Sequence, residues 1–203
     1  MIQRVVNFYN YIFGKIFKLN FIVLLGIRLF LLPTFFVGAR SKIEGFSTTV
    51  AWFQMPTAQG GLGLPFPEIL AFLATSTEVL GFIFLALGLC TRLIAIPMMF
   101  MMGVAGIMVH WQHGWYAIAD KTAESTLRLN DLFIWLSQNF PGRYNYATEL
   151  GDPVVLNGGI EFAVTYFIML AVLLIYGGGR YISLDYWISR KINKNKESIV
   201  SAP

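Results

Sequence analysis

The stretch 64–92 constrains the fold of this chain most strongly, because it is a long apolar segment with one acid in its middle. Residues 67–89 alone number 23, and a helix of that length, at roughly 1.5 Å per residue, spans about 34 Å. The hydrocarbon core of a bilayer is roughly 30 Å thick. The segment is therefore long enough to cross a membrane, and its acid, Glu78, would lie near the midplane.

The composition extends this conclusion to the whole chain. Apolar residues make up 56% of it and charged residues only 13%, and the mean hydropathy is +0.62. These values are typical of an integral membrane protein. The net charge of +4 comes from basic residues that flank apolar segments, which argues against nucleic acid as a partner and for contact with the lipid bilayer. The single cysteine, Cys90, excludes an intramolecular disulfide and a CxxC redox pair.

The hydropathy pattern predicts an all-α integral membrane protein, a four-transmembrane-helix bundle formed by the whole chain, 1–203, as a single domain. The expected spans are about 19–39, 67–89, 93–110 and 158–176. Interfacial amphipathic helices are expected at both termini, and a further helix at 121–139 in the longest loop. The first 18 residues lack the apolar core and cleavage site of a signal peptide, so we expect the first span to remain in the mature protein.

The distribution of lysine and arginine predicts the orientation. Nine of these residues belong to the termini and the turn at 92: Arg4, Lys15, Lys18, Arg92, Arg180, Arg190, Lys191, Lys194 and Lys196. Five belong to the other side: Arg40, Lys42, Lys121, Arg128 and Arg143. Cytoplasmic loops carry the excess of positive residues. Both termini are therefore expected in the cytoplasm, and the loops 40–65 and 111–157 on the outer side.

Two charges fall inside the predicted spans. Arg28 and Glu78 each lie about ten residues into their segments, so antiparallel neighbours would bring them to similar depth. A charge at that depth costs roughly 2.5–3.5 kcal/mol on insertion scales, and we therefore expect the two residues to pair. A structural ion pair and a proton relay or ligand site are both open interpretations.

A second set of polar residues is expected at the outer ends of the helices: Glu68, His110, Glu161 and Lys42. Acidic and imidazole groups beside a cavity would suit a metal ion or a polar substrate. Helix capping by the two acids is the alternative.

His113 follows His110 at i+3, a spacing that fits copper or zinc. The methionines at 98, 99, 101 and 102 fit a path for copper less well than they fit packing, because they point all round the helix. The sequence contains no GxSxG, HExxH or P-loop pattern.

The chain resembles the DoxX family of four-helix membrane proteins over residues 20–190. The matching positions are Arg28, Gly38, Lys42, Glu78, Gly81, Gly88, Leu89, Thr91, Arg92 and Ala95. Finer strings resemble the HvfX subgroup: GLGLPFPE, VHWQHGWYAIAD, NGGIEFAVTYFIMLAVLL and GGGRYISLDYWISR. The likeness brings no catalytic residues with it. Thr91 and Arg92 form a turn that matches the family.

Three functions are open, of which the resemblance implies the first two. HvfX-like proteins are encoded beside enzymes that modify copper-binding peptides, which implies an accessory protein of the bacterial inner membrane for maturation, handling or export of such a peptide, with the peptide and its maturation enzymes as partners. DoxX relatives include a subunit of a thiosulfate:quinone oxidoreductase, which makes a quinone-linked subunit the alternative. A transporter of small solutes or metal is the third, and four spans would then require a homo-oligomer. Copper and quinone are the possible cofactors that follow from these hypotheses. An enzymatic activity is less favoured than a non-enzymatic role.

Overall fold

The computed structural model describes residues 2–17 and 19–200, and that part of the chain is helical. The helices are α1 (Ile2–Phe17), α2 (Asn20–Glu44), α3 (Phe46–Gln54), α4 (Pro67–Leu87), α5 (Thr91–Ala105), α6 (Glu124–Asn139), α7 (Pro141–Thr148), α8 (Glu161–Tyr176) and α9 (Leu184–Val200). A π-helical turn, Gly106–His110, and a 3₁₀ turn, Trp111–His113, continue α5. Within the described residues there is no β-strand, only one isolated antiparallel bridge between Ile118 and Leu156.

Three helical segments are long and apolar enough to cross a membrane: Asn20–Glu44, Pro67–Leu87 and Thr91–His113. The first runs five residues beyond its predicted end, and the third begins two residues earlier than predicted and continues through the π turn. The predicted fourth span is represented by α8, whose 16 residues extend only about 24 Å as an α-helix. An all-helical fold with three candidate membrane-spanning helices is therefore confirmed for the described residues, and the fourth span stays a prediction.

The chain divides into two compact units. One unit comprises Met1–Met102 and Tyr166–Pro203, and the other comprises Gly103–Thr165. Every buried charge discussed below lies in the first unit.

The core of the first unit follows the helical period. In α2 the buried side chains recur at intervals of three and four residues. Together with buried residues of α4, α5 and α8 they form one hydrophobic core: Leu24, Leu31, Phe35, Leu85, Ile94, Ala95, Met98, Leu170 and Leu173. Met98 fits against Gly81, where an added Cβ would lie 2.6 Å from the Met98 Cε, which confirms the packing role predicted for this methionine. The remaining helix faces expose large apolar side chains, such as Phe100 at 74%. An apolar exterior around an apolar core is what a lipid-embedded bundle requires.

The second unit contains the predicted loop helix. It begins at Glu124 rather than at 121, because Asp120 first forms a turn in which its Oδ1 accepts hydrogen bonds from the Thr122 hydroxyl (2.6 Å) and N–H (2.9 Å). The Thr122 hydroxyl in particular lowers the pKa of the Asp120 carboxyl, which therefore stays ionised at neutral pH. The helix ends at Asn139, as predicted.

Helices also occur at both predicted interfacial segments, as α1 and α9. Met1, Lys18 and 201–203 lie outside the described residues. The headgroup location of α1 and α9 stays a prediction.

Candidate functional site: two buried charges in the helix bundle

Arg28 is buried in the first unit, where its guanidinium donates to four backbone carbonyls. Nε and Nη2 donate to Leu85 (2.7 Å) and Ala86 (2.9 Å) at the end of α4. Nη1 donates to Gly178 (3.0 Å) and Ile182 (2.7 Å) in the connection between α8 and α9. The carbonyls at the C-terminus of a helix are otherwise unsatisfied and carry partial negative charge. Arg28 therefore joins α2 to the ends of α4 and α8.

The turn 88–91 is held against the same connection. The Gly88 carbonyl accepts hydrogen bonds from the Ser183 hydroxyl (2.7 Å) and from the Asp185 N–H (3.0 Å). The Asp185 carboxylate in turn accepts the N–H groups of Cys90 (2.7 Å) and Thr91 (2.9 Å). Asp185 thus caps the start of α5 from a position 94 residues away in sequence, which is where an anion stabilises a helix.

Gly88 is required at this turn for two reasons. Its φ of 63° is in the left-handed region, which favours glycine. A Cβ at this position would also lie 2.8 Å from Cζ and both Nη atoms of Arg28. The backbone conformation and the close approach of the guanidinium therefore both require glycine at position 88.

This geometry gives Arg28 a structural role. A guanidinium stays protonated in proteins, and its hydrogen bonds here all go to carbonyl groups. Asp185 is near enough to interact with it electrostatically, although both carboxylate oxygens are occupied by Cys90 and Thr91. The arrangement connects α2 with the end of α4 and with the segment that follows α8.

Glu78 pairs with Lys42, not with Arg28, so the predicted Arg28–Glu78 ion pair is wrong. Lys42 Nζ lies 2.8 Å from each oxygen of the Glu78 carboxylate. The Glu78 side chain is 8% exposed and the Lys42 side chain 25%. Gly38 allows the close approach, since a Cβ there would lie 2.9 Å from Glu78 Oε1.

The register of α2 against α4 explains the error. The two helices are antiparallel, and their long side chains reach along them: Arg28 reaches Leu85, and Lys42 reaches Glu78. Because α2 continues to Glu44, Arg28 lies in its first half and not at its centre. Glu78 precedes Leu85 by seven residues, a distance of about 10 Å along the helix axis. The structure therefore shows no direct contact for a relay between Arg28 and Glu78.

The residues expected at the outer helix ends are engaged separately. Glu68 is exposed in the first turn of α4, and Lys42 belongs to the buried pair instead. In the second unit, His110 Nδ1 lies 2.7 Å from the Gly158 carbonyl. We assign Nδ1 as the donor because a carbonyl only accepts. Glu161 Oε2 accepts the N–H of Ala117 (3.0 Å).

The predicted ligand set does not assemble into a metal centre. Among the described residues no group of three or more His, Cys, Asp and Glu side chains is placed to hold a metal ion. His113 is exposed, and its carbonyl accepts a hydrogen bond from Asn157 Nδ2 (2.7 Å). His110 and Glu161 instead order the segment that leads into α8.

The two residues of the predicted turn, Thr91 and Arg92, lie in different environments. Thr91 is fully buried, and its hydroxyl has no hydrogen-bond partner within the described residues. Arg92 is exposed, and it lies beside Gly177, where a Cβ would be 3.3 Å from Arg92 Nε. The threonine therefore belongs to the packed turn and the arginine to the surface.

The comparisons with known proteins relate part of the chain to one family. Residues 23–111 match the family model of DoxX. DoxX is a family of membrane proteins, and the match fits the candidate spans found in the structure. No curated protein and no solved structure matches the chain significantly.

The DoxX match contains the two buried charges, Arg28 and Glu78, and only part of their surroundings. Lys42, the partner of Glu78, and the turn at Gly88 also lie within it. Half of the Arg28 acceptors, together with Ser183 and Asp185, lie beyond residue 111. Sequence reasoning did not single out Ser183 or Asp185. The available signal was the position of Asp185 just after a glycine run and at the start of a helix, which is typical of a residue that binds backbone N–H groups.

Proposed function

We propose that the chain is a DoxX-family protein of the bacterial inner membrane with four spans, α8 being the fourth. Leu170 and Leu173 of α8 are fully buried in the same core as α2, α4 and α5, which supports a common bundle. A helix of about 24 Å crosses a bilayer of roughly 30 Å when the bilayer thins locally or flanking residues reach the interface.

We further propose that the protein acts as an accessory protein, more like HvfX than like an enzyme, in the maturation, handling or export of a copper-binding modified peptide. The observation that carries this proposal is that the buried ionisable side chains of the bundle are fully engaged with each other or with backbone. Arg28 has four carbonyl partners, and Glu78 has Lys42 on both oxygens. Residues engaged in this way favour a structural role, because removing one partner of a buried pair is strongly destabilising.

The segment Gly103–Thr165 offers a surface for a peptide. It exposes aromatic and aliphatic side chains outside the long apolar helices: Trp115, Tyr116, Tyr146, Leu150, Val154 and Leu156. Exposed aromatic residues are typical of recognition surfaces. The charge count predicts this segment on the outer side, where an exported peptide would meet it.

A gene deletion with complementation tests the accessory role. Cells that lack the protein should release less mature peptide and tolerate less copper, as measured by mass spectrometry of the medium and by growth. A Trp115→Ala/Tyr116→Ala variant should fail to restore both, whereas Phe72→Ala/Phe100→Ala, which removes two lipid-facing rings, should restore them. Immunoblots of membranes establish equal protein levels. Normal peptide and normal tolerance in the deletion strain would refute the proposal.

A groove beside the Lys42–Glu78 pair favours a second candidate, a quinone-linked subunit. The groove has a volume of about 340 Å³ and is almost entirely apolar, with Phe36, Ala39 and Ile43 on α2 facing Val79, Phe82 and Ile83 on α4. Ile43 and Val79 directly follow the paired residues. An apolar groove next to a charged pair suits a quinone ring with its polar oxygens.

Lipid extraction of the purified protein tests this second candidate. A bound quinone should appear in the extract by mass spectrometry and be lost from Val79→Trp, which fills the groove. Leu73→Trp, on an exposed part of α4, should retain it. An extract of the unmodified protein without quinone counts against the candidate.

A further inference from the structure

A cavity of about 580 Å³ lies in the first unit, where the start of α2, the start of α5, the end of α8 and the start of α9 meet. Its lining includes two arginines, one acid and the glycine run 177–179. The arginines are Arg92 and Arg180, and the acid is Asp185. None of the functions discussed above uses this cavity.

The charge balance of the lining favours an anion. Both oxygens of Asp185 accept backbone N–H groups, and the positive charge of Arg28 lies directly behind the wall, where it binds the Gly178 carbonyl. Arg92 and Arg180 are both exposed, and neither forms an ion pair within the described part of the chain. Two exposed guanidinium groups that form no ion pair with a described residue are suited to a phosphate, whose oxygens they bind through paired hydrogen bonds.

The position of the cavity identifies the source of the phosphate. The cavity lies at the ends of apolar helices, which is where lipid headgroups are expected to meet a membrane protein. Tyr176 and Leu93 also line it, and both are largely exposed, Leu93 at 67%. These side chains would contact the upper part of the acyl chains while the arginines reach the phosphate. A volume of this size is within the range of small-molecule sites.

We propose that this cavity binds the phosphate group of an anionic phospholipid. The lining is positive and its acid is already engaged, so the ammonium group of a zwitterionic headgroup would find no free anion there. Basic pockets between helices on the cytoplasmic side are a known means of recognising anionic lipids. The proposal does not depend on the accessory role.

The chain provides its own probe of occupancy. Cys90 is the single cysteine, is exposed and lines the cavity. The full-length protein is reconstituted into phosphatidylcholine vesicles with and without phosphatidylglycerol, and the rate of Cys90 modification by a neutral, membrane-permeant maleimide is measured. Phosphatidylglycerol should slow the modification severalfold. Taking the ratio of the two rates within each variant cancels any effect of the arginines on the thiol itself.

Matched variants separate the cavity from general surface charge. In Arg92→Gln/Arg180→Gln the ratio should return to one, whereas in Arg143→Gln/Arg128→Gln, which removes the same charge elsewhere, the slowing should persist. Thermal unfolding should be unchanged in the first variant, because both arginines are exposed. Equal rates in the two lipids, or slowing that survives in Arg92→Gln/Arg180→Gln, would overturn the proposal.

The lipid is distinguished from a soluble phosphate in the same assay. Glycerol 3-phosphate in excess, added to phosphatidylcholine vesicles, should leave the rate unchanged, because it lacks the acyl chains that hold the headgroup at the cavity. Protection equal to that of phosphatidylglycerol would make a soluble phosphate the ligand and overturn the assignment to lipid.

Discussion

At the scale of single residues, the two buried cations of the bundle are satisfied by different chemistry. Arg28 uses its planar guanidinium to serve four carbonyls, whereas Lys42 places one ammonium between the two oxygens of Glu78. Arginine suits the first task because its five N–H donors have a fixed, forked geometry, and lysine suits the second because it is a compact point charge. The two interactions are therefore energetically separate.

A double-mutant cycle tests that separation. Glu78→Gln should lower the free energy of unfolding by about 2–4 kcal/mol, because Lys42 loses its countercharge in a mostly buried place, and somewhat less if its ammonium reaches the interface. Lys42→Met combined with Glu78→Gln should recover much of that loss. Unfolding in detergent, followed by circular dichroism, provides the measurement.

The same cycle between Glu78→Gln and Arg28→Met is the control. Arg28→Met should be strongly destabilising by itself, since four carbonyls lose their donor. Its effect should nevertheless add to that of Glu78→Gln, because the two residues share no partner. Strong coupling between Arg28 and Glu78, with none between Lys42 and Glu78, would contradict the observed pairing.

At the scale of elements, the turn 88–91 joins two helices whose facing ends have opposite polarity. The C-terminal carbonyls of α4 meet the Arg28 guanidinium, and the first N–H groups of α5 meet the Asp185 carboxylate. Each ion lies at the helix end that its charge favours. Cys90 adopts a φ of 47° between these two contacts. An L-residue in that region is strained, and its bond to Asp185 helps to hold it there.

Gly88→Ala tests how tightly this turn is packed. The new Cβ would need a left-handed backbone and would meet the Arg28 guanidinium. Gly60→Ala is the matched control, because Gly60 is also in the left-handed region, with a φ of 86°, but has open space where its Cβ would lie. Strain of roughly 1 kcal/mol is expected in both variants, and Gly88→Ala should cost about 1–3 kcal/mol more because of overpacking. Equal melting temperatures for the two variants would show that Arg28 is not confined by the turn.

The elements were more predictable from sequence than their contacts. The length of the apolar segments predicts the long helices, and the Pro141-Gly142 pair predicts the end of the helix at Asn139. Both are local features of the sequence. The partner of Glu78 could not be predicted from the neighbouring sequence. It depended on how α2, which continues to Glu44, is aligned with α4: Arg28 meets Leu85, seven residues beyond Glu78, and Lys42 meets Glu78 instead. The cap on α5 by Asp185 joins residues 94 apart in sequence, so no periodicity reveals it.

At the scale of the whole molecule, the orientation in the membrane rests on the distribution of positive charge, and Cys90 offers a direct test. The turn that contains it is predicted on the cytoplasmic side. A membrane-impermeant maleimide should therefore modify Cys90 in inverted inner-membrane vesicles and leave it unmodified in intact spheroplasts. Mass spectrometry of the protein reports the modified fraction.

A relocated cysteine makes this experiment decisive, because it reports the other side with the same chemistry. In Cys90→Ser/Ser125→Cys the thiol moves to an exposed position on α6, in the loop predicted to face outwards, so modification should now occur in spheroplasts and be lost in inverted vesicles. Both patterns reversed would mean that the termini face outwards, and the peptide surface would then lie on the cytoplasmic side. The same pattern for both thiols would mean that α5 and its continuation to His113 do not cross the bilayer. That result would remove the basis for placing the segment Gly103–Thr165 where an exported peptide could reach it.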